Sequence, residues 1–326
     1  MTFISFYEKA LLFFRNNIQT NQTLFLSCIL ILGIEYYSLY FNYTKLLIVF
    51  STVIGLDALF IRIKTGKWSF PFSGVNSGFG ISFFLRTDEL VIYFFAGFVA
   101  IVGKYIFTFK GRHFLNPSNM GVFLTLILFP FYAWTSAFQW GNYSGIISWK
   151  YLLAVGIVFF FGFLITFRVN KVFGFRYYLD YLLPFLVLHI ILFFIIPYSE
   201  SLASALQFFG IPFFIFMFFM ISDPKTVPER SISRFLYAIS LVLSFYILQF
   251  FINENYALLG SLFVNTLILP LIWHWEKENC FGQVKKATVF LLTLLVILIS
   301  FLPILIHIYG QPDLVFDNRC NELICK

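Results

Sequence analysis

The sequence predicts an all-α polytopic membrane protein with about ten or eleven transmembrane helices, and three observations carry this. Of 326 residues, 60% are hydrophobic and only 11% are charged, whereas soluble domains carry about 25% charged residues. Apolar runs recur at close to the roughly 20 residues that a helix needs to cross a bilayer. Lys and Arg concentrate in alternate connections, the pattern of positively charged cytoplasmic loops. The net charge of +7 follows from that asymmetry, so a lipid bilayer is the expected partner and nucleic acid is not.

Eleven apolar segments succeed one another at 22–41, 44–63, 70–86, 89–107, 116–133, 149–167, 178–197, 205–221, 233–252, 256–274 and 287–309. Residues 1–21 read as an amphipathic interfacial segment, 22–309 as a single membrane domain and 310–326 as an extracytoplasmic tail. The segment 70–86, "FPFSGVNSGFGISFFLR", is short and rich in Gly, Ser and Asn, so a broken or partial crossing is expected there. Such backbone is tolerated at membrane depth only where protein or a cavity surrounds it. With the N-terminus inside and spans alternating, Lys45, Arg86, Lys150, Arg319 and Lys326 fall outside, leaving 17 of the 22 basic residues inside. Removing one span destroys this bias, which argues that 70–86 does cross.

Cysteine and histidine offer little chemistry. Cys320 and Cys325 in the outer tail could form a short-loop disulfide in an oxidising compartment, or remain two thiols. Cys28 and Cys280 are placed too far from them to join a cluster. His189 and His307 lie within spans, where a haem with two axial histidines is conceivable, but their different depths argue against it. No zinc or iron–sulfur pattern is present.

Three polar breaks carry more information. The first is "GRHFLNPSNMG", 111–121. Asn116 and Pro117 are what a helix start requires, because the side chain caps free N–H groups and proline suits the first turn. The same N-terminus, with Ser118, Asn119, Arg112 and His113, also forms a place for an anion or the edge of a planar heterocycle. The second is "MISDPKTVPERSISR", 220–234. It reads as a tight turn, or as a site in which Asp223 faces a cavity or pairs with Arg112, Arg230 or Arg234. The third is Ser73-Gly74-Val75-Asn76-Ser77-Gly78, where glycine permits close approach of a ligand or of another helix. Asp57 in the second span is expected to pair with Arg62 or Lys64, or to sit on an ion path.

These breaks, in this order, resemble the membrane subunits NqrB and RnfD of the sodium-pumping NADH:quinone oxidoreductase and the Rnf complex. The likeness rests on "FLNPSNMG" (114–121), "FFMISDPKTVP" (218–228) and "NYALLGSLFVNTLILPLI" (255–272), and covers roughly 45–280. The run "GRHFLNPSNMGVFLTLILFP" (111–130) is similar to a hallmark run of the UnbU proteins, RnfD-like membrane proteins found in enediyne biosynthesis clusters and elsewhere. The resemblance implies a bacterial cytoplasmic membrane and electron transfer through flavin, while the Lys and Arg count is what puts the N-terminus inside and the C-terminus outside. The resemblance also implies other redox or cluster-encoded proteins as partners, and a redox subunit rather than a stand-alone catalyst.

In that family FMN is esterified to the Thr of an outer Ser-Gly-Ala-Thr motif. Here Ser144-Gly145-Ile146-Ile147 stands in its place, and Ile147 has no hydroxyl. Ser148 comes one residue late. Covalent FMN is therefore not expected, and the resemblance implies FMN or riboflavin held non-covalently. Its contacts would be Asn116, Pro117, Ser118, Asn119, Asp223 and Thr226, supported by Gly74 and Asn76. The alternative is a transporter or channel for a small solute, such as a flavin or a natural product. Broken helices with capped ends near a cavity are typical of carriers.

Overall fold

The computed structural model describes residues 18–36, 43–135, 149–173, 177–195, 209–252 and 254–277. The segment 287–309, the tail with Cys320 and Cys325, and Ile147 all lie outside them. Each predicted segment up to 274 coincides, wholly or in part, with a helix. These helices are α1 (Ile18–Tyr36), α2 (Tyr43–Thr65), α3 (Phe72–Phe84), α4 (Leu90–Ile106), α5 (Pro117–Leu128) and α6 (Trp149–Phe173). They continue with α7 (Leu183–Ile195), α8 (Ile211–Ile215), α9 (Ser231–Gln249), α10 (Glu254–Leu267) and α11 (Leu269–Lys277).

Among the described residues, three helical stretches are long and apolar enough to cross a membrane: Tyr43–Thr65, Tyr178–Ile195 and Ser231–Gln249. A fourth forms if the bent pair Tyr256–Leu267 and Leu269–Glu276, which meet at 41°, counts as one span. Helices α1, α3, α4 and α5 are shorter than the segments predicted for them. The reason is visible in 116–133. Helix α5 stops at Leu128, because Pro130 offers no N–H and disfavours helical geometry at Phe129. Hydropathy alone does not register that stop.

Two small ribbons stand beside the helices. Strand β1 (Leu85–Thr87) pairs antiparallel with β4 (Ala133–Thr135), extending α3 and α5 at one end of the bundle. At the other end β2 (Thr108–Phe109) pairs with β3 (Arg112–His113). Lys110 and Gly111 form the intervening two-residue turn with φ of 50° and 81°, as a tight hairpin of this kind demands. Arg62, Lys64 and Lys104 lie at this second end, the basic end.

Helix α3 is the packing centre of the first half. It touches α1, α2, α4 and α5. Its 13 residues rise only about 20 Å, less than the hydrocarbon core of a bilayer. Protein surrounds it instead of lipid. Two glycines permit this. A Cβ on Gly74 would lie 2.8 Å from the Asp57 Cβ, and one on Gly80 would lie 2.5 Å from the Ser118 Cβ. Outward-facing positions are apolar, with Leu47, Ile63, Val91, Phe94 and Phe194 all exposed. Polar side chains such as Asp57, Asn119, Ser244 and Asn265 are buried. That inversion is the surface of a lipid-embedded protein.

Asp57 pins α3 in place. Its Oδ2 accepts the Gly74 N–H at 2.9 Å, and its Oδ1 accepts Lys104 Nζ at 2.6 Å and the Tyr105 hydroxyl at 2.8 Å. Neither expected partner, Arg62 nor Lys64, takes part; both are exposed. Five residues along a helix turn Arg62 away from the Asp57 face, while Lys104 reaches it from the neighbouring helix. Asp57→Ala should strip the buried Lys104 ammonium of its counter-ion and leave the α3 N-terminus uncapped. The expected loss is about 3–5 kcal/mol, read as a lower denaturation midpoint in detergent. An unchanged midpoint would remove Asp57 from this role.

Candidate functional site

At the basic end, three polar segments, together with residues of α1 and α6, close around a cleft of about 100 Å³. Helix α5 opens it. Asn116 has extended backbone, and its Oδ1 accepts the Asn119 N–H at 3.1 Å and the Ser118 hydroxyl at 2.9 Å. Pro117 fills the first turn. The cap reading of this motif is therefore correct, and the side chain does more. Asn116 Nδ2 donates to the Met220 carbonyl at 3.2 Å, joining α5 to the second polar break.

That second segment follows α8. The helix widens into a π turn over Phe216–Met220, with the Ile221 N–H bonded to the Phe216 carbonyl. Asp223 then caps a 3₁₀ turn, Pro224–Thr226, by accepting the Lys225 N–H at 3.0 Å. The third segment is α3, which presents Ser73, Asn76, Ser77 and Gly80. Asn76 is held from α1: its Oδ1 accepts the Thr23 hydroxyl at 2.8 Å, and its Nδ2 donates to Gln22 Oε1 at 3.2 Å.

The cleft has two characters. One wall is polar and uncharged, with Gln19, Gln22, Ser73, Asn76, Ser77 and Ser118. The other is apolar, with Phe83, Ile165, Ile215, Phe218 and Phe219. His113, Asp223 and Lys225 complete the lining. His113 Nε2 approaches Asp223 Oδ2 to 3.6 Å. Burial alone would push the Asp223 carboxyl up. The His113 side chain, the Lys225 N–H and the Lys225 charge outweigh burial and hold it below its ordinary value.

Of the residues singled out in the sequence, Asn76, Asn116, Pro117, Ser118 and Asp223 meet at this cleft. Gly74 lies behind it, bonded to Asp57. Asn119 points the other way and donates to the Leu259 carbonyl at 3.1 Å. Thr226 is buried, its hydroxyl on the Asp223 carbonyl at 3.3 Å.

The expected arginine partners of Asp223 are engaged elsewhere. Arg112 donates to the carbonyls of Lys225 (2.7 Å), Val227 (3.0 Å) and Pro224 and to Glu229 Oε1 (3.1 Å), and lies over the Trp273 ring at 4.2 Å. Arg234 pairs with Asp180 at 3.0 Å. Arg230 donates through Nη2 to the Glu276 backbone carbonyl at 2.6 Å. A guanidinium satisfies several carbonyls at once through its five-donor fork, so the turn between α8 and α9 captures Arg112 before the single carboxylate of Asp223 does.

Sequence reasoning overlooked Lys104, Trp273 and Glu276. Glu276 is buried and accepts the N–H groups of Glu229 (2.9 Å) and Arg230 (2.8 Å) at the start of α9. Trp273 Nε1 donates to the Val227 carbonyl at 3.2 Å. Both lie more than 40 residues beyond the turn they hold, and no short-range spacing marks them.

A flavin can be tested against this geometry. Amides, hydroxyls and an aromatic wall suit a planar heterocycle, but the space does not. Small-molecule sites usually enclose about 300–1,000 Å³, against about 100 Å³ here. The Asn76 and Asn116 side chains are also bonded within the chain. In this conformation a whole isoalloxazine does not fit. No protein-family description matches the chain, and no curated protein is significantly similar to it.

Because the folded Asp223 carboxyl titrates below its ordinary value of 3.8, its bonds contribute stability above about pH 4 and lose it as pH falls through the lower folded value. Asp223→Asn should remove that part of the acid sensitivity. Thermal midpoints of the detergent-solubilised protein across acid pH measure it, and identical acid profiles would contradict the assignment.

Proposed function

We propose that the chain is an integral membrane component of the RnfD/NqrB type, nearest to UnbU proteins, that takes part in transmembrane electron transfer with a non-covalently held flavin. One observation carries the reading. Three polar breaks far apart in the chain, those around Ser73–Gly80, His113–Ser118 and Met220–Lys225, contribute to one cleft with a polar wall and an aromatic wall. The flavin would supply the redox chemistry, and the chain would supply its position and a water-poor surrounding. Asn76, Ser118 and Asp223, which line the cleft, would hold it. Binding requires the Phe218–Phe219 wall to withdraw, since the cleft as described is too small. Electron donor and acceptor would come from partner redox proteins of a bacterial cytoplasmic membrane.

A second reading is a transporter or channel for a small solute. The small volume favours it, as does the position of the cleft at the capped ends of short helices.

The visible spectrum of protein purified in mild detergent separates the two. The electron-transfer reading expects about one flavin per chain, released on denaturation without a covalent remnant. It also expects flavin content to fall severalfold in Ser118→Leu. A colourless protein after gentle purification would count against it. Solute uptake by vesicles containing that colourless protein would support the carrier.

A further inference from the structure

A second feature at the basic end is independent of the cleft. Helix α2 ends with Arg62 and Lys64. Gly66, at φ 73°, reverses the chain there, its N–H bonded to the Arg62 carbonyl at 2.9 Å. The reversal brings Trp68 back beside the helix, with the Arg62 guanidinium 5.9 Å from the ring centroid. Lys67 directly precedes Trp68 in the turn. Arg62, Lys64 and Lys67 are all exposed, and among the described residues no carboxylate lies within salt-bridge distance of any of them.

Apolar side chains alternate with these cations. Ile63 is 70% exposed, Trp68 68% and Phe70 58%. Water is a poor solvent for such a group, and a bare phosphate would leave it uncovered. A phospholipid covers both kinds of surface at once: its phosphate meets the cations, and its glycerol and upper acyl chains meet Ile63, Trp68 and Phe70. The position agrees, because α2 is one of the helices long and apolar enough to span, so its end reaches headgroup depth. Tryptophan and basic residues prefer that depth, and unpaired cations there attract anionic lipid.

We propose that the turn 62–70 binds the headgroup of an anionic phospholipid. The turn leads directly into α3, whose Ser73, Asn76 and Ser77 line the cleft. A bound headgroup therefore braces the entry to the polar wall.

The test uses the full chain in nanodiscs of mixed phosphatidylglycerol and phosphatidylcholine, with native mass spectrometry counting retained lipid. The parent protein should retain phosphatidylglycerol preferentially. Loss of each cation should weaken retention about fivefold, so the triple variant Arg62→Gln, Lys64→Gln, Lys67→Gln should lose most of the preference. Its thermal midpoint in pure phosphatidylcholine should stay close to the parent's, since among the described residues these side chains have no acidic partner and lose only the Arg62–Trp68 ring contact. Free glycerol phosphate added to phosphatidylcholine discs should not raise the parent's midpoint, whereas phosphatidylglycerol should. Equal retention of the two lipids, an undiminished preference in the triple variant, or equal stabilisation by free glycerol phosphate would each overturn the proposal.

Discussion

The Asp57 carboxylate sits at 0% exposure inside a predominantly apolar bundle, with a lysine, a tyrosine and a backbone N–H on its two oxygens. A lone charge at such a place is expensive, and pairing with further hydrogen bonds is what makes it tolerable. The consequence is positional. The N-terminus of α3 has no cap from its own chain neighbours, so the acid from α2 supplies one. Gly74 lets the two backbones come close enough for that bond. With α3 fixed at this end, Gly80 meets Ser118 and the start of α5 is set. Asn116 then reaches the Met220 carbonyl, and the π turn takes its place as the aromatic wall. The cleft follows from a chain of contacts that begins at one buried carboxylate.

The other side of the cleft is secured differently. The turn between α8 and α9 is held by its own Asp223 cap and by residues distant in the chain, two of which act as clamps. Arg112 gathers its carbonyls from the hairpin side while stacked on Trp273. Glu276 gathers its N–H groups from α11, where a carboxylate also complements the positive end of α9. One clamp uses a cation for acceptors and the other an anion for donors, so together they fix the turn in both polarity and place. The π turn beside it is a costly irregularity of the sort often found near functional sites. Here its extra residue carries Phe218 and Phe219 to the cleft.

Much of this was written in the order of residues. Apolar runs located the helices, because burial in lipid requires long stretches without charge whatever the tertiary arrangement. Gly-rich 70–86 was readable as a partial crossing, since Gly, Ser and Asn are poor lipid-facing residues, although Phe72–Phe84 within it is an unbroken helix. Asn116-Pro117 was readable as a helix start, since capping depends on neighbours within three positions. The charge count put the runs of Ser118 and Asp223 on one side, and the family resemblance joined them, with Asn76, in one site. The lengths of the helices were less legible. Hydropathy sums composition, whereas Pro130 stops α5 through the geometry of a single bond.

Partnership was the part that only tertiary structure decided. Asp57 had two cations within seven residues on its own helix, and neither became its partner. Lys104, from a different helix, did. Asp223 had three arginines nearby in sequence or topology, and each found a better acceptor. The reason is physical. A buried ion pair or a clamped carbonyl depends on direction and on a distance of about 3 Å, and both are set by how helices cross. The sequence by itself determined that this chain would bury polar residues inside an apolar shell and cluster its cations at one end. Only the folded packing decided which acid meets which cation, which asparagine faces the cleft, and that the cleft is as narrow as it is.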